Sequence, residues 1–341
     1  MTHHRASTRS FCGLFVKPLL ALTLSSAALT ASAAGPTKIK LGAAAWVGFA
    51  PFYVADAKDF FKKYNVKVSI QTFSDPALIP SALVSEAIDG EMVTYDQVIA
   101  QVAAGKRHKV VMPIDYSFGG DAIVAGQSIK KLSDLKGKKV GYNPLTPSDF
   151  LLSYALKTAG LSEKDISPVN LMPEAVPAAM ASGQLTVGVT YEPSLSQILS
   201  QGGGKKYQVL FSSKNAPGLI ADVLVFDEKF IKARPNDVKA VIQGYLDGLA
   251  FLKAKPDEAA QIIGKVLGVP PKEVLEQLKG VYAIPLAEMP KAFVKSKETT
   301  SYFTSGAIIG ELLKAKGQIN SLPPTESTFD GSFVNGLAGS K

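Results

Sequence analysis

The sequence predicts an α/β protein of two lobes, each a mostly parallel sheet flanked by helices. Three observations carry that expectation. Short apolar strands alternate with helical stretches between residues 37 and 226, the pattern of parallel sheets covered on both faces. The segment VTY[DE]xxxxQ occurs twice, beginning at Val93 and at Val189, as if two similar strand–helix units had been used. After Phe226 the pattern turns helical. The bland alternative for the echo is a chance likeness between two apolar strands. The 341 residues suit two domains. The single cysteine, Cys12, excludes a disulfide framework, a cysteine redox pair and a thiolate zinc cluster.

The elements follow in order. Arg5, Arg9 and Lys17 precede a short apolar run at 18–24, and small residues end in Ala31-Ser32-Ala33. A basic start, an apolar core too short to span a bilayer and an A-x-A end predict a cleaved secretory leader over 1–33. The mature chain is then a soluble periplasmic protein that keeps His108 as its only histidine and no cysteine. Residues 37–44 alternate as a strand. Tyr53, Ala57, Phe60, Phe61 and Tyr64 share one helical face, closed by Asn65. Val66, Val68 and Ile70 mark a second strand, and Ile79, Leu83, Val84, Ala87 and Ile88 a second helix. Further strands are expected at 92–94, 110–114, 122–125, 139–142, 186–190, 208–211 and 222–226. Helices are expected at 235–253, 256–267, 270–281 and 297–316. The Pro- and Gly-containing tail after Leu322 is expected to be loose.

No phosphate-binding loop, dinucleotide fingerprint, zinc-protease motif or nucleophile elbow is present. A histidine-dependent triad would have only His108, inside the basic run Gly105-Lys106-Arg107-His108-Lys109. Imidazole or thiolate metal sites lack ligands. The net charge of +8 is spread out, with no dense basic patch for nucleic acid. No cofactor is expected.

Ligand chemistry is better supplied. Open α/β sheets bind ligands beyond the carboxyl ends of their strands, where both echoed segments lie. Trp46, Gly48 and Phe49 follow the first strand, offering an aromatic face and backbone donors; core packing is the alternative. Asp115, Tyr116, Ser117 and Asp121 flank a Gly119-Gly120 turn between strands. Thr146 is a good N-cap, with Pro147 at N1, Asp149 at N3 and Ser148 between them, so Thr146 and Ser148 either face a cleft or only serve the helix. Asp96 and Glu192 end the echoed strands and could meet a cationic group or water. Asp222 lies at a return crossing, as a ligand contact or a turn anchor.

In order and spacing, several stretches resemble the periplasmic substrate-binding proteins of nitrate/sulfonate/taurine ABC importers, a family that includes binders of thiamine-pyrimidine precursors. They are WVGFAPFYVADAKDFFKKYNV from Trp46, DYSFGGDAIVA from Asp115, LKGKKVGY from Leu135, TPSDFLLSYALKTAGL from Thr146, MASGQLTVGVTYEPSLS from Met180 and PGLIADVLVF from Pro217. The resemblance implies a periplasmic-binding-protein-like fold with two crossings. It implies a first lobe over 35–122 and 221–316, a second over 123–220, and a tail from 317. It implies a small-molecule ligand, a membrane permease with a cytoplasmic ATPase as partners, and a monomer. Carried over, its contacts fall on Trp46, Gly48, Phe49, Thr94, Tyr95, Asp96, Tyr116, Ser117, Asp121, Thr146, Ser148, Tyr191 and Glu192.

Where relatives commonly read TVSHF, this chain reads Thr146-Pro147-Ser148-Asp149-Phe150, an acid in place of histidine. Asp96, Asp115, Asp121, Asp149, Glu192 and Asp222 face no Lys or Arg among the expected contacts. A buried carboxylate wants a positive or donor-rich partner, so the ligand is expected to carry an amine, amidine or aminopyrimidine-like group. The alternatives are an oxyanion ligand, a pyrimidine-synthase-like enzyme on the same fold, or a sensor for a membrane receptor.

Overall fold

The computed structural model describes residues 35–339; the expected leader lies outside them. Two sheets organise the chain. The first has the order β11-β4-β10-β3-β1-β2, the second β7-β6-β8-β5-β9. In the first, β1 (Thr37–Ala43), β2 (Val66–Thr72), β3 (Gly90–Thr94) and β4 (His108–Ser117) run one way, while β10 (Ala221–Asp227) and the edge strand β11 (Val281–Ala283) run the other. In the second, β6 (Lys139–Tyr142), β7 (Ser167–Asn170), β8 (Val187–Tyr191) and β9 (Tyr207–Ser212) agree, and β5 (Asp121–Gly126) is reversed. The reversed strands β5 and β10 are the ones by which the chain passes from one sheet to the other.

The core follows the strand period. Ile39, Leu41 and Ala43 of β1 and Val66 and Val68 of β2 are buried at alternating positions. They pack under α1 (Ala50–Ala57), α8 (Pro235–Ala254) and α9 (Pro256–Leu267). A second cluster runs from α3 (Tyr95–Ala103) and α11 (Tyr302–Ala315) to α4 (Pro147–Thr158), which lies on the second sheet. Among the described residues no helix is long and apolar enough to cross a membrane.

Four local expectations need correction. The face from Tyr53 to Tyr64 is not one helix: Asp59 takes a left-handed φ of 58° after α1, and a 3₁₀ turn, Phe60–Tyr64, carries the face onward. The break seats Phe61 where α8 has Gly244, whose Cβ would come within 2.2 Å of the ring. Helix α2 ends early, at Ile79–Val84. The helix expected to reach Val281 stops as α10 (Pro271–Gln277), because the following residues pair with β4 as β11. The tail is not loose. Thr328 and Asp330 hydrogen-bond Val110 of β4, Phe329 packs among Phe293, Tyr302 and Phe303, and Val334 of α12 (Ser332–Ala338) is fully buried. An aromatic and an aliphatic anchor outweigh the Pro and Gly content there.

Candidate functional site

The two reversed strands build the site. In β10, Asp222 lies opposite Thr94, the last residue of β3, and on its other side opposite Asp115 of β4. In β5, Asp121 lies opposite Tyr191, the last residue of β8. Each sheet therefore offers an aspartate from a reversed strand beside the carboxyl end of a forward one. The turn between β4 and β5 is only three residues long, so Asp115 and Asp121 belong to the same junction.

Between the sheets lies a narrow cleft, lined by Trp46, Phe49, Thr94, Gln97, Asp121, Tyr191 and Asp222, with Ile79, Met92, Pro147 and Ile220 among its apolar walls. Among the described residues no Lys or Arg lines it. Trp46 and Tyr191 meet edge to face across it, centroids 5.9 Å apart at 88°, a favoured aromatic geometry. Gly48 sits behind the tryptophan, where a Cβ would lie 2.1 Å from Trp46 Nε1 and 2.4 Å from Asp115 Oδ2. Gly48→Ala is therefore expected to displace the indole or the carboxylate. Overpacking of that kind costs about 1–3 kcal/mol, measurable as a lower melting temperature and altered emission from Trp46, the chain's single tryptophan.

The electrostatics are those of an acid cluster without a counter-charge. Asp115, Asp121 and Asp222 are all buried, Asp115 completely. Burial pushes Asp121 up to about 7, tempered by Ser117 and reinforced by Asp96 and Glu192. Burial also raises Asp115; Asp222 and Trp46 temper that rise from positions short of good hydrogen-bond geometry. Asp222 is pushed well up by burial, then by the charges of Asp115 and Asp121. Adjacent carboxylates of this kind favour sharing a proton or a cation over ionising together. Among the described residues, Trp46 Nε1 and both Asp115 oxygens have no hydrogen-bond partner, which is uncommon for buried polar atoms.

The structure sorts the expected contacts. Trp46, Phe49, Thr94, Asp121, Tyr191 and Asp222 line the cleft, and Gly48 supports it from behind. Asp96 and Thr146 instead line a neighbouring cavity. Thr146 does not cap: its hydroxyl donates to Asn143 O at 2.6 Å, while Asp149 accepts the Leu145 N–H at 3.0 Å. Ser148 is buried without a partner among the described residues and lines neither cavity. Four others have partners elsewhere. Tyr95 stacks on Tyr302 at 4.1 Å and its hydroxyl bonds Thr328, because α11 covers the start of α3. Tyr116 donates to Thr300 O. Ser117 joins Ser213 at 2.8 Å, clamping the two crossings together. Glu192 accepts from Ser196 N–H and hydroxyl, holding the start of α6 (Ser194–Ser200).

Gln97 was the polar wall residue not anticipated. Its Oε1 accepts the Thr94 N–H at 3.3 Å, and its Nε2 donates to Leu145 O at 3.2 Å. The T-x-x-Q spacing from Thr94 is a capping-box signal that could have found it. The apolar wall at Pro76 and Ile79 carried no such signal.

A family model described as NMT1/THI5 like matches residues 46–259. The chain belongs to the NMT1/THI5-like family. The match to NMT1/THI5-like proteins starts at Trp46 and runs past Asp222, so it spans every cleft residue except Ala44. A putative thiamine biosynthesis protein from Haemophilus influenzae is 30% identical over 220 residues, 62% of this chain and 67% of that protein. The taurine-binding periplasmic protein of Escherichia coli is 27% identical over 239 residues, 67% of this chain and 73% of that one. Among solved structures, the periplasmic aliphatic sulphonate binding protein of Escherichia coli has a TM-score of 0.70 at 20% identity, covering 88% of this chain and all of that one. The periplasmic nitrate-binding protein of Synechocystis also scores 0.70, at 17% identity, covering 89% of each chain. The fold is that of the two-lobed periplasmic binding proteins, and this NMT1/THI5-like chain is a solute-binding protein for small molecules.

Proposed function

We propose that the protein is the exported receptor of an ABC importer. In this reading it grips a small organic molecule bearing an amine, amidine or aminopyrimidine-like group and delivers it to a permease unchanged. The observation that carries the ligand class is the acid cluster: Asp121 and Asp222 line the cleft, Asp115 lies buried behind Asp222, the Trp46 indole N–H has no partner, and no lysine or arginine lines the cleft among the described residues. A cationic or multiply donating group would satisfy the carboxylates, and the Trp46–Tyr191 pair would flank its ring or chain. A bare oxyanion would meet one N–H and a negative field.

The lobes of this reading are 35–122 with 221–316, and 123–220, hinged at the two crossings that Ser117 and Ser213 clamp. The tail, anchored on β4, moves with the first. The ligand biases an open–closed equilibrium through contacts that both lobes make only when closed. Binding rather than catalysis is supported by a cleft lining that holds neither histidine nor cysteine among the described residues.

Isothermal titration of the mature protein tests this against amines, amidines, aminopyrimidines, aminosulfonates and simple oxyanions. A true ligand should stabilise the fold by about 2.7 kcal/mol at a hundredfold excess over its dissociation constant. Binding of simple oxyanions alone would overturn the ligand class.

A further inference from the structure

The second cavity, beside the cleft, holds a contact that the acid cluster does not explain. Lys316 follows α11, a helix packed against α3 of the first lobe. Its ammonium reaches into the second lobe. There it donates to Ser153 Oγ at 2.7 Å and pairs with the carboxylates of Asp149 and Glu163. Ser153 in turn donates to Glu163 at 2.9 Å. Two residues on, Gln318 Nε2 donates to Asp149 Oδ2 at 2.9 Å. Asp149 and Ser153 stand on α4, and Glu163 begins the 3₁₀ turn Glu163–Asp165 beyond it. The lysine side chain is 13% exposed and the Asp149 side chain 5%, while Glu163 at 35% forms the outer rim, so the Lys316–Asp149 pair is socketed and not a surface one.

The socket is wired to the ligand cleft. Asp149 also accepts the Leu145 N–H, and Leu145 O accepts from Gln97, a cleft wall residue of the first lobe. One hydrogen-bonded path thus runs from Lys316 through Asp149 and Leu145 to Gln97, crossing between lobes twice. Lys316 itself lies outside the cleft lining.

We infer that Lys316 is a latch between the lobes: seated in the Asp149–Ser153–Glu163 socket, it holds the closed arrangement and sets the resting open–closed balance without touching the ligand. This rests on the lobe-closure reading, but not on the chemistry of the ligand. An ion pair that forms only on closing favours the closed state by its full differential strength. Because the Lys316–Asp149 pair is largely dehydrated, removing one partner leaves the other buried and uncompensated. A receptor with such a latch is partly closed before any ligand arrives, and its apparent affinity scales with the fraction of molecules that are binding-competent.

The test needs no ligand. Spin labels at Lys67→Cys and Lys139→Cys, one exposed strand position in each lobe, in the mature chain, which has no other cysteine once residues 1–33 are removed, report the inter-lobe distance distribution of the unliganded protein. Lys316→Met is expected to shift it toward a longer, broader population, lowering the closed fraction relative to open about tenfold. Lys316→Arg should restore the parent distribution, and Glu163→Gln should fall between. If Lys316→Met does not fold, Glu163→Gln combined with Gln318→Ala carries the same comparison. An unchanged distribution in a folded Lys316→Met or in that double variant would overturn the latch and leave a passive ion pair. Because no ligand is added, that outcome is independent of whether the titration panel upholds the cationic ligand class.

Discussion

Asp222→Asn is expected to weaken binding of the amine-bearing ligand by about a hundredfold or more, while making the unliganded protein more stable at pH 8. Both effects come from the position of Asp222 in the sheet. It is directly opposite Asp115 on one neighbouring strand and Thr94 on the other, buried in the wall of the cleft. Like charges facing one another across strands destabilise a sheet, and burial adds to the cost. Asparagine keeps the shape, removes one charge and can donate to Asp115. The same change deletes the carboxylate that a cationic group would neutralise, and truncating one member of a buried charge pair usually costs about 2–5 kcal/mol or more. Titration calorimetry reads the affinity and thermal melting reads the stability. Parent-like affinity in a folded Asp222→Asn protein would remove the acid cluster from ligand recognition. Asp121→Asn makes the same test from the other sheet.

The second large effect is a pair of opposed pH dependences. Asp96, Asp121 and Glu91 have folded pKa values raised to about 6, 7 and 8, each chiefly by burial; Asp115 and Asp222 are raised as well. A carboxyl raised on folding contributes its stability in full below its unfolded pKa, which is about 4. That contribution is lost as pH climbs through the folded value. The unliganded protein should therefore melt higher at pH 5 than at pH 8, and every tenfold gain in a carboxyl's proton affinity on folding corresponds to ~1.4 kcal/mol. Binding should run the other way. A cationic ligand selects ionised carboxylates, so its affinity rises with pH through about 7 and protons are released on binding. Melting curves and titrations in buffers of differing ionisation enthalpy separate the two trends. Glu91 provides a control away from the cleft. It is fully buried on β3, and neither of its oxygens has a partner within hydrogen-bond geometry among the described residues. Glu91→Gln should flatten the stability slope without touching the binding slope. A protein more stable at pH 8 than at pH 5, with pH-independent binding, would contradict the cluster's raised pKa values.

Much of this was legible from local signals. The alternation of strands and helices is a property of short windows, and it located nearly every strand. The repeated VTY[DE]xxxxQ segments are β3 and β8 with their following helices, and each lies beside a reversed crossing strand. Their tyrosines nonetheless differ in fate. Tyr191 faces the cleft, but Tyr95 is covered by α11, which arrives much later in the chain and leaves no mark near residue 95. Strand β11 was invisible for the same reason: its three residues are extended only because β4 offers an edge. Aspartates 121 and 222 could be named from strand ends, whereas the apolar wall at Pro76 and Ile79 and the reach of Lys316 depend on how distant elements meet.

The placement of β10 has a consequence for how the polypeptide reaches its final form. This strand lies between β3 and β4 in the middle of the first sheet, yet it is made only after the whole of the second sheet has been translated. A nascent chain that has completed β4 still lacks the piece that zips its neighbours together. The amino-terminal half thus stays unfinished through about a hundred further residues of synthesis, a delay that would suit the exported receptor proposed above, which would thread through a secretion channel before it folds.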